Sequence, residues 1–116
     1  MNIYISGPMT GLPLLNFPAF EAATAALRAL NYTVTSPHEM ELDGGFDPLL
    51  SEEENRFSLR EALERDLDAV IYCDAVALLP GYEASPGAAM EVSMATALGK
   101  PSFTLDYLLR VGHELG

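Results

Sequence analysis

An apolar run, Ala75-Val76-Ala77-Leu78-Leu79, is followed after a short turn by Ser85-Pro86-Gly87-Ala88-Ala89-Met90-Glu91. The first segment has the composition of a buried strand, and the second opens a helix. Ser85 is a good N-cap, and Pro86 suits the first helical position. The alanine-rich helix that they start is predicted to end near Leu98, with Gly99 as its stop and Pro101 just beyond. Gly87 lets another group approach the backbone closely. Glu91 lies inside this helix, among Ala, Met, Val, Ser, Thr and Leu. A lone carboxylate among such neighbours, just past a strand's carboxyl end, is either a paired structural charge or a reactive group.

The remaining segments alternate in the same way. Ile3-Tyr4-Ile5 reads as the first strand, and Ser6-Gly7-Pro8-Met9-Thr10-Gly11 as a glycine-containing loop after it. Such a loop in an α/β fold commonly meets a ligand; it is equally well a plain turn made by Gly and Pro. A helix is predicted from about Pro18 to Leu30, with Asn16 or Phe17 at its start. Phe20, Ala23, Leu27 and Leu30 share one face, and Asn31 is a left-handed stop. Tyr32 to Thr35 reads as the second strand, ended by Ser36-Pro37. From His38 to Asn55 the chain is acidic, contains Gly44-Gly45 and Pro48, and shows no clear period. It is predicted to be a long loop with one helical turn near Asp47 to Leu50, and His38 is expected to be exposed there or to cap.

Ser58-Leu59-Arg60-Glu61 resembles a capping box and opens a helix to about Asp68. Leu59, Leu63, Leu67 and Val70 form its apolar stripe. Asp66 is expected at its end, where a negative charge meets the negative end of the helix dipole. A carboxylate tolerated there is a candidate for chemistry, or else a solvated aspartate paired with Arg65 or Arg60. Ala69 to Asp74 lead into the third strand, Ala75 to Leu79. Pro101 to Thr104 reads as the fourth strand and Asp106 to Glu114 as a last short helix, with His113 placed favourably for its dipole. Alternating short apolar strands and helices predict a single α/β domain over residues 1–116. Its parallel sheet is covered on both faces, with ligands bound at the strands' carboxyl ends.

Charge and composition exclude several functions. The 17 acidic residues against 6 basic ones give a net charge of −11, a field that repels a polyphosphate backbone, so no nucleic-acid partner is expected. A small anion can still bind at a helix start. No run of 18 apolar residues spans a membrane, the N-terminus does not read as a signal peptide, and the single Cys73 fits a reducing cytoplasm. No His, Cys or acidic cluster has metal-ligand spacing. No Walker loop, dinucleotide fingerprint or Ser-His-Asp set occurs either, so neither metal nor cofactor is expected. What remains is a pair of carboxylates, Glu91 and Asp66. Two such groups flanking an anomeric carbon are the minimum set for cleaving a glycosidic bond.

Tyr4-Ile5-Ser6-Gly7-Pro8, the segment from Arg65-Asp66-Leu67 to Cys73-Asp74, and Ser85-x-Gly87-x-x-x-Glu91 followed by Ala95 and Gly99-Lys100-Pro101 carry a resemblance. Together they resemble the nucleoside 2-deoxyribosyltransferase family, especially its small branch of 2′-deoxynucleoside 5′-phosphate N-hydrolases. The resemblance spans nearly the whole chain except about residues 38–55. It implies a flavodoxin-like or Rossmann-like three-layer α/β sandwich with a small parallel sheet. It implies a homodimer or higher homo-oligomer acting on a deoxynucleoside or deoxynucleotide. Glu91 would be the nucleophile at C1′, Asp66 would assist the base or the sugar, and Tyr4 would orient the glutamate. Substrate binding is expected at Ser6, Gly7, Met9, Gly11, Asn16, Ser85 and Gly87. Ser85 stands where the nucleoside branch has an aspartate, which suits a 5′-phosphate. Met9 stands where the hydrolase branch has an arginine, and the Pro80 to Ala84 turn is longer than usual.

Two other readings compete with an N-glycosidic enzyme. One is a non-catalytic module binding a nucleotide or an ADP-ribose-like ligand on the same fold. The other is a Glu91 that merely pairs with Lys100 or an arginine inside the helix layer.

Overall fold

The computed structural model describes the backbone of residues 1–115 and all side chains there except those of Leu59 and residues 112–115. The expectation for His113 therefore lies outside the described residues. In chain order the elements are β1 (Asn2–Ser6), α1 (Phe17–Ala29), β2 (Thr33–Thr35), α2 (Pro37–Asp43) and α3 (Leu59–Tyr72). After them come β3 (Ala75–Leu78), α4 (Pro86–Ala97), β4 (Ser102–Thr104) and α5 (Leu105–Leu115). The four strands form one sheet in the order β2-β1-β3-β4, and every pair is parallel. The α/β class, the parallel sheet and the helices on both faces agree with the sequence reading.

Period-2 alternation along β1 sorts its side chains between the two faces. Ile3 and Ile5 pack with Phe20, Ala23 and Leu27 of α1 and Leu108 of α5. Tyr4 points the other way, into a cluster with Val70 of α3, Cys73, Val76 and Ala95 of α4. The sheet is thus the middle of three layers. Because β2 lies on one side of β1 and β3–β4 on the other, the strand order switches direction between β1 and β3. In open α/β sheets a crevice forms at the carboxyl ends of such a pair.

Two boundaries differ from those expected. The first is α2, which occupies the start of what reads as a loop. Ser36 has extended backbone at its N-cap, Pro37 stands in its first turn with Glu39, and Gly44 ends it. The helix is too short for its apolar residues to declare a period, so its terminal residues were the only signal. It buries His38 (4% exposed) against Phe17 and Phe20, with Nδ1 2.5 Å from the Ser36 hydroxyl. His38 is therefore neither exposed nor in a loop. Near Asp47 the chain makes a single turn, closed by Leu50 N–H donating to the Asp47 carbonyl at 3.0 Å.

The second is α3, which continues to Tyr72 instead of ending near Asp68. Ala69-Val70-Ile71-Tyr72 is β-branched and aromatic and suits a strand locally. Its burial is helical, however: Val70 and Cys73 are covered, while Ile71 and Tyr72 face outward. Lys100 secures the extra turn, donating to the carbonyls of Val70 at 3.2 Å, Cys73 at 2.5 Å, and Ile71. Asp66 consequently sits in the body of α3. It therefore does not meet the negative end of the helix dipole, as the sequence had suggested.

Candidate active site

The Glu91 side chain belongs to the inward stripe of α4. Ala88, Glu91 and Ala95 are the buried residues of that helix. The two alanines let α4 approach the sheet closely, and the glutamate between them points at β1. There it meets the two side chains that period 2 places on this face after Ile3, namely Tyr4 and Ser6. The Tyr4 hydroxyl donates to Oε2 of Glu91, and the Ser6 hydroxyl donates to Oε1 at 2.7 Å. Tyr4 and Ser6 are 0% exposed and Glu91 is 7% exposed. Both carboxylate oxygens are thus held by hydroxyls of one strand.

Burial pushes the Glu91 carboxyl up to about 7; the hydrogen bonds from Tyr4 and Ser6 oppose that rise, and the Asp66 charge adds to it. Asp66 is itself pushed up to about 6 by burial, against the pull of Arg65. The Tyr4 phenol is raised well above its ordinary value, first by burial and then by Glu91 and Asp66. The influence of Asp66 on both Tyr4 and Glu91 joins the three groups in one electrostatic cluster, brought from β1, α3 and α4.

Lys100 caps α3, as described, and the ion pairs of the described residues give Glu91 no cationic partner. Asp66, by contrast, is paired with Arg65, whose Nη2 lies 3.2 Å from Oδ1. The same nitrogen lies 2.6 Å from Oε1 of Glu41 on α2. Glu41 was invisible in the sequence reading because α2 was; its signal was the Ser36-Pro37 start and the Gly44-Gly45 stop.

The other expected binding residues line up along the switch-point edge, with different local duties. Ser6 is committed to Glu91 and closed to solvent. Gly7 packs so tightly that an added Cβ would lie 2.7 Å from Cβ of Leu79. Met9 packs partly against the α1-side core, and Gly11 takes φ +84° with open space around it. Leu14, Leu15 and Asn16 have φ of 51°, 52° and 61°, a left-handed turn of three non-glycine residues. Asn16 ties this turn back by donating from Nδ2 to the Pro8 carbonyl at 2.9 Å. On the β3 side of the switch point, Ser85 caps α4 by accepting from the Ala88 N–H at 3.2 Å. A Cβ on Gly87 would meet only the Ser85 hydroxyl, at 4.0 Å. A groove of about 470 Å³ opens between the β3–α4 and β4–α5 connections, over Leu79, Tyr82, Leu105 and Leu109. Glu91 does not line it.

Among the described residues no three His, Cys, Asp or Glu gather to hold a metal ion, and no helix is long and apolar enough to cross a membrane. With Tyr4 and Ser6 on its two oxygens and Asp66 in its field, Glu91 can do what an oriented carboxylate with a second acid can do: attack or stabilise an electron-poor carbon and exchange a proton.

Comparison with known proteins gives the chain its relatives. Solved structures with a similar fold include a 2-deoxyribosyltransferase from Leishmania mexicana, with a TM-score of 0.62 and 21% identity over 89% of this chain. This chain spans 62% of that enzyme's length. A 2-deoxyribosyltransferase from the psychrotolerant bacterium Bacillus psychrosaccharolyticus matches with a TM-score of 0.64 and 25% identity, over 90% of this chain and 71% of its own. No curated protein sequence matches. A family model described as "Domain of unknown function (DUF4406)" matches residues 1–104. The chain belongs to that family and has the fold of the 2-deoxyribosyltransferases.

Proposed function

We propose that the protein cleaves or transfers the N-glycosidic bond of a 2′-deoxynucleoside or its 5′-monophosphate, with Glu91 as nucleophile. One observation carries this reading: Tyr4 and Ser6 hold both oxygens of a buried carboxylate that has no cationic partner among the described residues, with Asp66 in the same cluster. The 2-deoxyribosyltransferases that share the fold support the choice of a glycosyl reaction.

In the first step a Glu91 oxygen attacks C1′ of the deoxyribosyl group. The bond from C1′ to the base nitrogen breaks, and its electron pair leaves with the base. Asp66, with its carboxyl near 6, holds a proton over part of the working range and gives it to the departing nitrogen. In the second step water, or the nitrogen of another base, attacks C1′ and releases the glutamate, while Asp66 accepts a proton. The hydroxyls of Tyr4 and Ser6 stabilise the ionised Glu91 before attack and as it leaves. Ser85 and Gly87, at the start of α4, receive the 5′ end of the sugar. The exposed side of α4, with Ala89, Met90, Ser93 and Ala97, carries no charge, which supports packing against a second copy of the chain.

The test is base release from a panel of deoxynucleosides and their 5′-monophosphates, followed by chromatography. The expected result is free base from at least one substrate, lost in Glu91→Gln. A flat panel, or turnover unchanged by Glu91→Gln, overturns the reading.

A further inference from the structure

Neighbours one apart on a helix do not face each other. Arg65 nevertheless folds back onto Asp66, with Nε at 3.3 Å and Nη2 at 3.2 Å from the same oxygen, Oδ1. What turns it there is a third residue: Glu41 accepts from Nη2 at 2.6 Å. The Glu41 side chain is 13% exposed, that of Asp66 15% and that of Arg65 33%. The guanidinium is thus clamped between two half-closed carboxylates from two helices, a geometry that its planar fork serves and a lysine ammonium does not. Among the described residues Oδ1 of Asp66 takes both hydrogen bonds, and Oδ2 takes none.

We propose that Arg65, anchored by Glu41 of α2, is a positioning residue for Asp66: it fixes the carboxylate through Oδ1 and leaves Oδ2 as the oxygen that serves the substrate. The inference rests on the glycosyl reading of the site for its role in turnover, but the clamp itself can be tested without turnover. Two charged groups act on Asp66, Arg65 from its own helix and Glu41 from α2, and Asp66 in turn acts on Tyr4 of β1 and Glu91 of α4. Arg65 is the only cation among them. Removing it leaves the burial of Asp66 and its anionic neighbours unopposed, and the carboxyl rises further.

The experiment is a carbon-detected NMR titration of the Asp66 carboxyl in the wild-type protein, Arg65→Met and Arg65→Lys, with amide spectra to establish that each variant is folded. In Arg65→Met the Asp66 midpoint should rise by about one unit, and Arg65→Lys should recover part of that shift. Base release should show its alkaline limb, which protonated Asp66 sets, displaced to higher pH, and, because the carboxyl is no longer held through Oδ1, kcat lowered about tenfold at its optimum, with KM within about twofold. Glu41→Gln should slow kcat in the wild-type background and have no further effect in Arg65→Met. An Asp66 midpoint unmoved in folded Arg65→Met overturns the proposal, and so does a Glu41→Gln effect of equal size in both backgrounds. If the wild-type protein releases no base from any substrate, the glycosyl reading fails, and the titration alone decides the clamp.

Discussion

The Ser6 hydroxyl donates to Oε1 of Glu91 at 2.7 Å, across a separation of 85 residues. The contact exists because β1 and α4 flank the point where the sheet changes direction, and because Ser6 falls two residues after Tyr4 on the same face of β1. With Tyr4 on the other oxygen, the carboxylate is held at both ends. The two hydroxyls favour its ionised form and burial favours its neutral form, and the balance leaves it near 7. A nucleophile poised there is partly ionised at neutral pH and responds strongly to the loss of either hydroxyl.

Tyr4→Phe should therefore move Glu91 further up, because it deletes a donor to the charged form while keeping the ring that fills the core. A hydrogen bond to a charged group contributes about 1.5–3 kcal/mol, so base release near pH 7 should fall roughly 10- to 100-fold. The acid limb of the rate profile should move to higher pH. Steady-state kinetics from pH 5 to 9 check both. A Tyr4→Phe profile that overlays the wild type refutes the coupling.

Stability should depend on the same carboxylates, with a definite sign. Glu91 rises from 4.5 to about 7 on folding and Asp66 from 3.8 to about 6. Between those limits the unfolded chain releases protons that the folded protein still holds, so stability is fully present below about pH 4 and falls as pH rises towards 7. For Glu91 alone the shift corresponds to roughly 3 kcal/mol. Glu91→Gln keeps the shape and removes the titration. It should be more stable than the wild type at pH 8 by roughly 1–3 kcal/mol and about equal to it at pH 4. Urea unfolding at the two pH values checks this; a variant less stable than the wild type at pH 8 contradicts it.

What the sequence declared and what it concealed divide by the range of the forces involved. The α4 boundaries were legible because Ser85, Pro86 and Gly99 act within a turn of themselves, and the sheet was legible because its strands are short, apolar and separated by helices. The extension of α3 was not, because Lys100 stabilises it from 27 to 30 residues away. Local propensity at Ala69 to Tyr72 favours strand, and a distant ammonium on three carbonyls outweighs it. Glu91 stood out as a lone acid in an apolar helix, but its lack of a cation became visible only when Lys100 was found elsewhere. Arg65 was read as a possible partner of Asp66; Glu41, which turns it, lay in a helix too short to show a period.

Gly7→Ala should destabilise the fold without touching the carboxylates. The added Cβ would lie 2.7 Å from the Cβ of Leu79, an atom fixed to the backbone in the core. Either β1 or the segment after β3 must shift, at a cost of about 1–3 kcal/mol. Because these two segments lie at the carboxyl ends of β1 and β3, where the substrate is proposed to bind, base release should fall as well, through KM more than kcat. Denaturant unfolding and steady-state kinetics check the two effects, and a variant as stable as the wild type removes the packing argument for this glycine.

Lys100→Met separates the two roles open to the lysine. Its ammonium donates to the carbonyls of Val70, Ile71 and Cys73 at the end of the helix, where the intrahelical donors run out. Methionine fills the same space and donates nothing, so the last turn of α3 loses its cap and the helix dipole its counter-charge, together costing about 1–3 kcal/mol. Glu91 is held by Tyr4 and Ser6 and should be unaffected, so kcat and the acid limb of base release should match the wild type at a temperature where both are folded. Amide exchange should report the loss locally, with protection falling at Val70 to Cys73 and holding in α4. If instead the acid limb moves with Lys100→Met, the lysine acts on Glu91 after all, and the structural pairing of those two charges regains its place as the explanation of the buried glutamate.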